Sequence, residues 1–267
     1  MPAAFLAATT PEPLSSGRYG IRFTQPWYQG KGAYGGVVAG AALRALEHHL
    51  GDAGRPVRSF TAHFCSPAVE GDAQVLTRIE RAGKLVTHAT VRVENAAGVV
   101  CVGSATFGAS RGGVVEYLDI PRPELPPPHE VPAVPDDVPM PDFCRFFEFR
   151  FALGAAPYSG APVAETGGWL RPREALVLDA PLCVGLMDAY PPSVLSRLDT
   201  YRPAASVDLT MHFFHALPRP GLREDAYFLR AGRSRQAAEG YSDDSQQLWT
   251  EDGVLLAQCR QLVAVLG

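Results

Sequence analysis

The chain has 267 residues, of which 46% are hydrophobic and 19% are charged, and its formal net charge is −4. This composition is typical of a globular protein with enough apolar material for one large domain or two of ordinary size. It argues against a nucleic-acid or anionic-membrane surface, because such surfaces need clustered basic residues. No apolar run is as long as a membrane span and the N-terminus lacks the features of a signal peptide, so we expect a soluble, cytoplasmic protein.

The first half of the chain predicts one long helix among strands. The residues 17–24 are typical of a strand, and the run GGVVAGAALRALEHHL that begins at Gly35 is typical of a helix, because its apolar residues recur at helical spacing. Four further segments are rich in Val, Thr and Phe, and they predict strands over 57–68, 73–84, 85–98 and 99–108. A long helix against an antiparallel sheet is an α+β arrangement.

The second half repeats this order of elements. The pattern predicts a helix over 178–192, with Asp179 as its N-cap and Pro191 past its end. Strands are predicted over 144–152, 166–172, 206–217, 226–234, 240–253 and 254–266.

A proline-rich segment separates the two halves. Nine prolines fall in the thirty residues 112–141, and proline suits neither a central strand nor a helix interior. We therefore predict an N-terminal domain over 1–111, an extended linker over 112–141, and a C-terminal domain over 142–267.

The two halves can be aligned, which suggests a fused duplication, with two unrelated α+β domains as the alternative. AHF at 62–64 matches MHF at 211–213, and the hairpin glycines Gly98 and Gly253 fall at equivalent positions. In this alignment the second half places larger polar groups where the first half has small hydroxyls. Asp208 stands opposite Ser59, and Gln261 stands opposite Thr106.

Three polar residues of the second half are candidates for a site. Gln261 lies on an otherwise apolar strand face by alternation, so its amide must bond either to structural partners or to a water or substrate. Asp208 is unusual in a strand, and it either lies on a solvated face, pairs with a nearby arginine such as Arg202, or acts in the site. Ser234, in the run AGRSRQ, is either an ordinary strand-end serine or a site hydroxyl.

Other signals point to no chemistry. Ser110 lies in a G-x-S-x-G pattern, but the linker and not a helix follows it, which excludes a nucleophile elbow. The five cysteines are far apart and the histidines form no cluster with them, so we expect buried thiols and no metal site. Asp188, near the predicted end of the second helix, is open to either a surface or a pocket role.

The order of these elements resembles the hotdog fold, and two such units with a linker resemble the double-hotdog acyl-CoA thioesterases of the thioesterase II type. The matching stretches are YGGVVAGAAL (34–43), RPVRSFTAHFCSPAVEGD (55–72), SVDLTMHFFHALP (206–218) and WTEDGVLLAQCRQLVAV (249–265). In that family an aspartate, a threonine or serine, and a glutamine hold the attacking water. The resemblance implies these roles for Asp208, Ser234 and Gln261, with Arg233 and Arg235 competing for the hydroxyl position.

The resemblance implies a thioester hydrolase that needs no cofactor, takes acyl-CoA as its substrate, and assembles as a homo-oligomer, a dimer or larger. Asp208 would act as general base, and the backbone N–H groups of Gly35 and Gly36 at the start of the first helix would hold the oxyanion. The acyl chain would lie in an apolar channel between helix and sheet. The alternatives are a catalytically silent acyl-CoA-binding protein and a hotdog dehydratase or hydratase.

Overall fold

The computed structural model describes residues 3–113 and 115–266 of the chain. It contains the α-helices α1 (Ala4–Thr9), α2 (Gly35–Leu50) and α3 (Ala180–Asp188). Short 3₁₀ turns cover Gln25–Trp27, Pro128–Glu130, Asp142–Phe146 and Ser193–Arg197. None of the helices in these described ranges is long and apolar enough to cross a membrane.

The strands of the first half come before the proline-rich segment and those of the second half after it. The first half has β1 (Glu12–Ser15), β2 (Arg18–Phe23), β3 (Tyr28–Gln29), β4 (Gly32–Ala33), β5 (Val57–Phe64), β6 (Gly71–Ala82), β7 (Val86–Asn95) and β8 (Gly98–Gly108). The second half has β9 (Phe147–Gly154), β10 (Ala164–Pro172), β11 (Ala204–Phe213), β12 (Phe228–Ser234), β13 (Ala237–Ala238), β14 (Tyr241–Thr250) and β15 (Leu255–Val265).

One large antiparallel sheet runs through both halves. Its order is β1-β2-β6-β7-β8-β5-β11-β15-β14-β12-β10-β9, with β13 beside β14, while β3 and β4 form a separate hairpin. The halves meet where β5 pairs with β11, and at the centre of this pair Thr61 lies opposite Thr210 with their hydroxyl oxygens 3.0 Å apart. Outward from this pair each half has the same order, strand by strand. The predicted antiparallel α+β class is confirmed.

Helix α2 begins and ends where the sequence predicts. Its stripe of small and apolar residues is buried, from Val38 at 2% exposure to Leu46 at 0%, and Gly51 ends it in the left-handed conformation at φ 61°. Gly40 has no side chain to separate α2 from α3, and a Cβ there would lie 3.2 Å from the carbonyl oxygen of Pro181. Both helices pack on the same side of the sheet, which we call the inner face.

Helix α3 is shorter than predicted, with nine residues against the sixteen of α2. Asp179 is its N-cap as expected, and its carboxylate accepts a hydrogen bond from the Leu182 N–H at 2.8 Å. The helix ends at Asp188 and not at residue 192, because the residue before a proline is disfavoured in the helical conformation and Tyr190 precedes Pro191. A long helix is therefore present in the first half, whereas the helix of the second half is short.

The proline-rich segment is held against the second half. The Trp169 Nε1–H donates to the carbonyl oxygen of Pro126 at 2.8 Å, and Arg150 donates to that of Pro128 at 2.9 Å. Because the sheet is continuous, the domain boundaries given above stay a prediction. The cysteines are free thiols, and four of them are buried as predicted, but Cys65 is exposed.

Candidate active site

Gln261 lies at the centre of a buried polar cluster on the inner face of the sheet. Its side chain is on β15 and the residue is only 4% exposed. Its Nε2 lies 2.9 Å from Asp188 Oδ1 and 2.6 Å from Ser206 Oγ, and donates to both. Its Oε1 lies 2.8 Å from Nε2 of Gln246. The inward orientation that alternation predicts for Gln261 is confirmed, and its amide joins three elements of the second half.

Asp188 is the carboxylate of this cluster and the last residue of α3. It keeps some exposed surface, but the surrounding protein desolvates the carboxyl and raises its pKa to about 6. Hydrogen bonds from Gln261 and from the backbone N–H of Gly36, together with the positive charge of Arg230, work in the opposite direction. A carboxyl with such a pKa is ionised at neutral pH and is basic enough to take a proton.

Ser206 reaches the cluster because of a β-bulge in β11. Ser206 pairs with Val263 of β15, but Asp208 pairs with Leu262, so the pairing slips by one residue at Val207. A bulge inserts one extra residue and turns the side chains beyond it to the other face. Ser206 therefore lies on the inner face near Gln261, although simple alternation gives it the same face as Asp208.

The glycine pair at the start of α2 borders the same cluster. A Cβ on Gly35 would lie 2.7 Å from Asp188 Oδ2, and the Gly36 N–H is hydrogen-bonded to the Asp188 carboxylate. A side chain at residue 35 would thus collide with the carboxylate. The structure brings Gly35 and Gly36 to the site, where the positive end of the α2 dipole faces Asp188.

Asp208 does not belong to this cluster, which corrects the expectation from the sequence. Its neighbour Leu209 lies opposite Gln261 and is buried, so Asp208 points to the outer face of the sheet. Its Oδ1 accepts a hydrogen bond from the Leu262 N–H at 3.2 Å, and its Oδ2 is 4.0 Å from His63 Nδ1. The sheet separates Asp208 from the amide of Gln261.

Ser234 does not meet Gln261 either. Its hydroxyl lies 2.7 Å from that of Ser242 on the neighbouring strand. It also lies 3.4 Å from Asp243 Oδ1, an oxygen that accepts the Arg235 and Gln236 N–H groups of the turn between β12 and β13. These contacts stabilise the turn between β12 and β13. Of the three residues predicted from the sequence, only Gln261 lies in the cluster, and Asp188 and Ser206 supply the acid and the hydroxyl beside it.

Two further observations describe the surroundings of the site. Within the described part of the chain, no group of three His, Cys, Asp or Glu residues is arranged to hold a metal ion. Aromatic rings fill the space beside the start of α2, where Tyr34 stacks on Phe143 with ring centroids 4.0 Å apart. The Tyr34 hydroxyl is buried without a hydrogen-bond partner.

Comparisons with known proteins agree with this architecture. Two sequence profiles match, the acyl-CoA thioesterase N-terminal domain over residues 23–108 and the acyl-CoA thioesterase C-terminal domain over residues 123–265. No sequence among the curated proteins matches the chain.

Solved structures resemble the chain over its whole length. A conserved protein of unknown function with a hot dog fold from Alicyclobacillus acidocaldarius has a TM-score of 0.91 at 25% identity, over 100% of this chain and 99% of its own. An acyl-CoA thioesterase II from Mycobacterium marinum has a TM-score of 0.77 at 20% identity, over 98% of each chain. A tesB protein from Mycobacterium avium subspecies paratuberculosis has a TM-score of 0.81 at 18% identity, over 98% of each chain.

The fold is thus that of the hotdog proteins. The two thioesterase profiles together span most of the sequence, from the end of β2 to the end of β15. The chain therefore belongs to the acyl-CoA thioesterase family whose N- and C-terminal domain profiles it matches.

Proposed function

We propose that the protein hydrolyses an acyl-CoA thioester to a free acid and CoA, with Asp188 as general base. The observation that carries this proposal is the amide of Gln261, which lies within hydrogen-bonding distance of both Asp188 and Ser206. A carboxylate, a hydroxyl and an amide around one point are the groups needed to hold and deprotonate a water molecule.

The reaction would run as follows in terms of bonds and protons. Asp188 takes a proton from a water held by Ser206 and Gln261, and the water oxygen attacks the thioester carbonyl carbon. The carbon–sulfur bond of the tetrahedral intermediate then breaks, and the CoA thiolate takes the proton back from Asp188. Negative charge that develops on the carbonyl oxygen would be stabilised at the N-terminus of α2, where Gly35 and Gly36 leave the backbone N–H groups approachable.

We also propose the finer features that the resemblance implies. These are a double hotdog that arose by duplication, an acyl chain that lies between α2 and the sheet, assembly into a homo-oligomer, and a cytoplasmic location. The shared strand order of the two halves supports the duplication. The aromatic rings around Tyr34 and Phe143 border the proposed path of the acyl chain.

The test compares Asp208, for which the resemblance implies the role of general base, with Asp188, for which we propose that role. Release of free CoA is measured over a panel of acyl-CoAs of different chain length for the wild type, Asp188→Asn and Asp208→Asn. We expect Asp188→Asn to lower kcat by about 10²- to 10⁴-fold, the usual contribution of a general base. Asp208→Asn, on the outer face, should stay within about twofold of the wild type, as a surface substitution does.

Three outcomes would overturn the proposal. An Asp188→Asn variant with wild-type turnover would exclude Asp188 as the base, and an inactive but folded Asp208→Asn variant would return that role to Asp208. A wild-type protein that binds acyl-CoA without releasing CoA would instead be a silent binding protein.

A further inference from the structure

A buried ionic network lies directly behind the site. Arg230 of β12 is 0% exposed, and Asp244 and Gln246 of β14 are 1% and 2% exposed. Arg230 Nη2 is 3.8 Å from Asp244 Oδ2, and Asp244 also accepts hydrogen bonds from the backbone N–H and the hydroxyl of Ser193 at 2.9 and 2.8 Å. A buried ion pair rarely adds stability over apolar residues of similar size, so this network calls for another explanation.

The network converges on the backbone that carries Asp188. The last carbonyl groups of a helix have no partner within the helix, and Met187 is the residue just before Asp188 in α3. Arg230 Nε donates to the Met187 carbonyl oxygen at 3.4 Å, and one end of the Gln246 amide lies 3.0 Å from the same oxygen. Arg230 and Gln246 therefore fix the end of the helix at which Asp188 projects.

The amide of Gln246 is also in contact with Gln261, and it can point in two ways. In one arrangement Gln246 Nε2 donates to Gln261 Oε1 at 2.8 Å, and the Gln261 NH₂ group donates to Asp188 and Ser206. In the other arrangement the Gln246 oxygen accepts from Arg230 Nη2 at 2.9 Å, and its nitrogen donates to the Met187 carbonyl oxygen at 3.0 Å. The second gives both ends of the Gln246 amide a complementary partner, whereas the first leaves its NH₂ group facing Arg230 Nη2 and its oxygen facing the Met187 carbonyl oxygen.

The two arrangements of Gln246 suit different protonation states of Asp188. When the Gln246 oxygen faces Gln261, the NH₂ group of Gln261 turns to it, and Gln261 Oε1 then faces Asp188. An amide oxygen there accepts a hydrogen bond from a protonated Asp188 but repels an ionised one. When Asp188 is ionised, the NH₂ group of Gln261 donates to it instead. The orientation that Arg230 favours is thus the one that suits Asp188 after it has taken a proton.

We propose that Arg230 and Gln246 are positioning residues that fix the end of α3 and, by orienting the amide of Gln261, stabilise Asp188 once it has accepted a proton from water. This inference rests on the proposed role of Asp188. Neither residue needs to touch the substrate, because Gln246 acts through Gln261 and Arg230 acts through Gln246 and the Met187 carbonyl.

The effect of hydrogen bonds on Asp188 can be measured apart from the effect of nearby charges, because the charged groups that face it can be kept. Tyr34 faces Asp188 from the start of α2 and Cys259 faces it from β15, and burial raises the pKa of both groups well above their ordinary values, so both are neutral. The charged groups that face the site are Arg230 on β12 and Asp244 on β14. Substitutions that keep these two charges therefore report on hydrogen-bond geometry.

Two variants test the proposal with the charges preserved. Gln246→Met removes the amide and leaves Arg230 and Asp244 in place, and Arg230→Lys keeps the positive charge but loses the planar set of donors. We expect each to lower kcat by about 10-fold, by analogy with the loss of a hydrogen-bond partner behind a metal ligand, with KM within about twofold of the wild type. The pH at which kcat/KM falls on the acid side should move to lower pH, because protonated Asp188 has lost its stabilisation.

Gln258→Met is the matched control. Gln258 lies on the same strand as Gln261, it is not part of the inner cluster, and it borders an open recess on the outer face. The same substitution there should leave kcat, KM and the pH profile unchanged. The folding of every variant is checked by thermal melting, and either of the two test variants is sufficient if the other does not fold.

The outcomes separate this inference from the proposed function. If Asp188→Asn is inactive but folded Gln246→Met has the kcat and pH profile of the wild type, the inference is wrong and the general base stands. If kcat falls without any movement of the pH profile, Gln246 is only structural and the inference is also wrong. If Asp188→Asn is active, the proposed function fails first.

Discussion

The two halves of the sheet share one architecture, but only the second has polar residues at the positions of the site. The register of β5 with β8 corresponds to that of β11 with β15, and each pair has a slip of one residue near its start. By this correspondence Ser206 is equivalent to Val57, which is 2% exposed, and Gln261 is equivalent to Ala105, which is 4% exposed. The first half therefore has an apolar inner face at the positions where the second half has a hydroxyl and an amide.

The first half still contributes to the site, through its helix and not through its sheet. The start of α2 brings Gly35 and Gly36 to the carboxylate of Asp188 at the end of α3. The two helices pack on each other, so each half presents a helix end at the same place. One half thus supplies backbone N–H groups, and the other supplies side chains.

Among exchanges between the two halves, the largest effect is expected when the second half is given the residue of the first. Gln261→Ala removes the amide that joins Asp188 to Ser206, and we expect kcat to fall by about 10²- to 10³-fold, as for other lost groups that act on the developing charge. The measurement is steady-state release of CoA. A Gln261→Ala variant with more than a tenth of wild-type turnover would show that the amide is not needed to hold the water.

The reverse exchange, Ala105→Gln, should lower the free energy of unfolding without changing kcat. Ala105→Gln puts an amide into an apolar face with no partners, and burying such a group costs about 1–3 kcal/mol by protein mutational data. The free energy of unfolding, measured in denaturant, should fall by that amount. The kcat of the folded fraction should be unchanged, because Ala105 lies in the half without the polar cluster. Full stability would mean that the first half can accept a polar site.

The carboxylate of the second half should also give the site its pH dependence. The pKa of Asp188 is raised to about 6, and a general base acts only when it is ionised, so kcat/KM should fall about tenfold per pH unit below that value. The same shift has an effect on folding. Between the ordinary value of 3.8 and about 6, the unfolded form has released its proton and the folded form has not, so stability falls as pH rises through this window.

Asp188→Asn checks both consequences in one variant. The asparagine stays neutral, so the loss of folding stability between these pH values should be smaller than in the wild type. Denaturation curves at pH 4 and pH 8 measure this difference. An acid limb of the wild-type kcat/KM profile near pH 4, or none at all, would contradict the raised pKa.

Much of the fold could be predicted from the sequence, because local patterns determine it. The stripe of small and apolar residues predicts α2 over 35–50, and the sequence identifies Asp179 as the N-cap of α3. The inward orientation of Gln261 also followed from the alternation along β15. The pattern predicts α3 too long because the run from Ala180 to Pro192 is apolar apart from Asp188, and the pattern does not show at which residue the prolines begin to exclude the helix.

The site was only partly predictable because it depends on two register details. The bulge at Val207, which turns Ser206 inward, has no signature in the sequence. The alignment of Gln261 with Thr106 was wrong by one residue, since the hairpins differ in length: Asn95 pairs with Gly98, but Trp249 pairs with Leu255. A slip of one residue exchanges the two faces of a strand, and the observed register places Asp208 on the outer face while Gln261 lies on the inner face.

The smallest expected effect tests whether the first half contributes only backbone. Tyr34 precedes α2 and its hydroxyl is buried without a partner. Tyr34→Phe removes this unsatisfied group and keeps the ring stacked on Phe143, so we expect the free energy of unfolding to rise by about 1 kcal/mol, or about 2–4 °C in Tm for a chain of this size. The turnover should be unchanged. If Tyr34→Phe instead lowers kcat while stability rises, the hydroxyl takes part in the reaction, and the first half supplies a side chain to the site as well as its helix N-terminus.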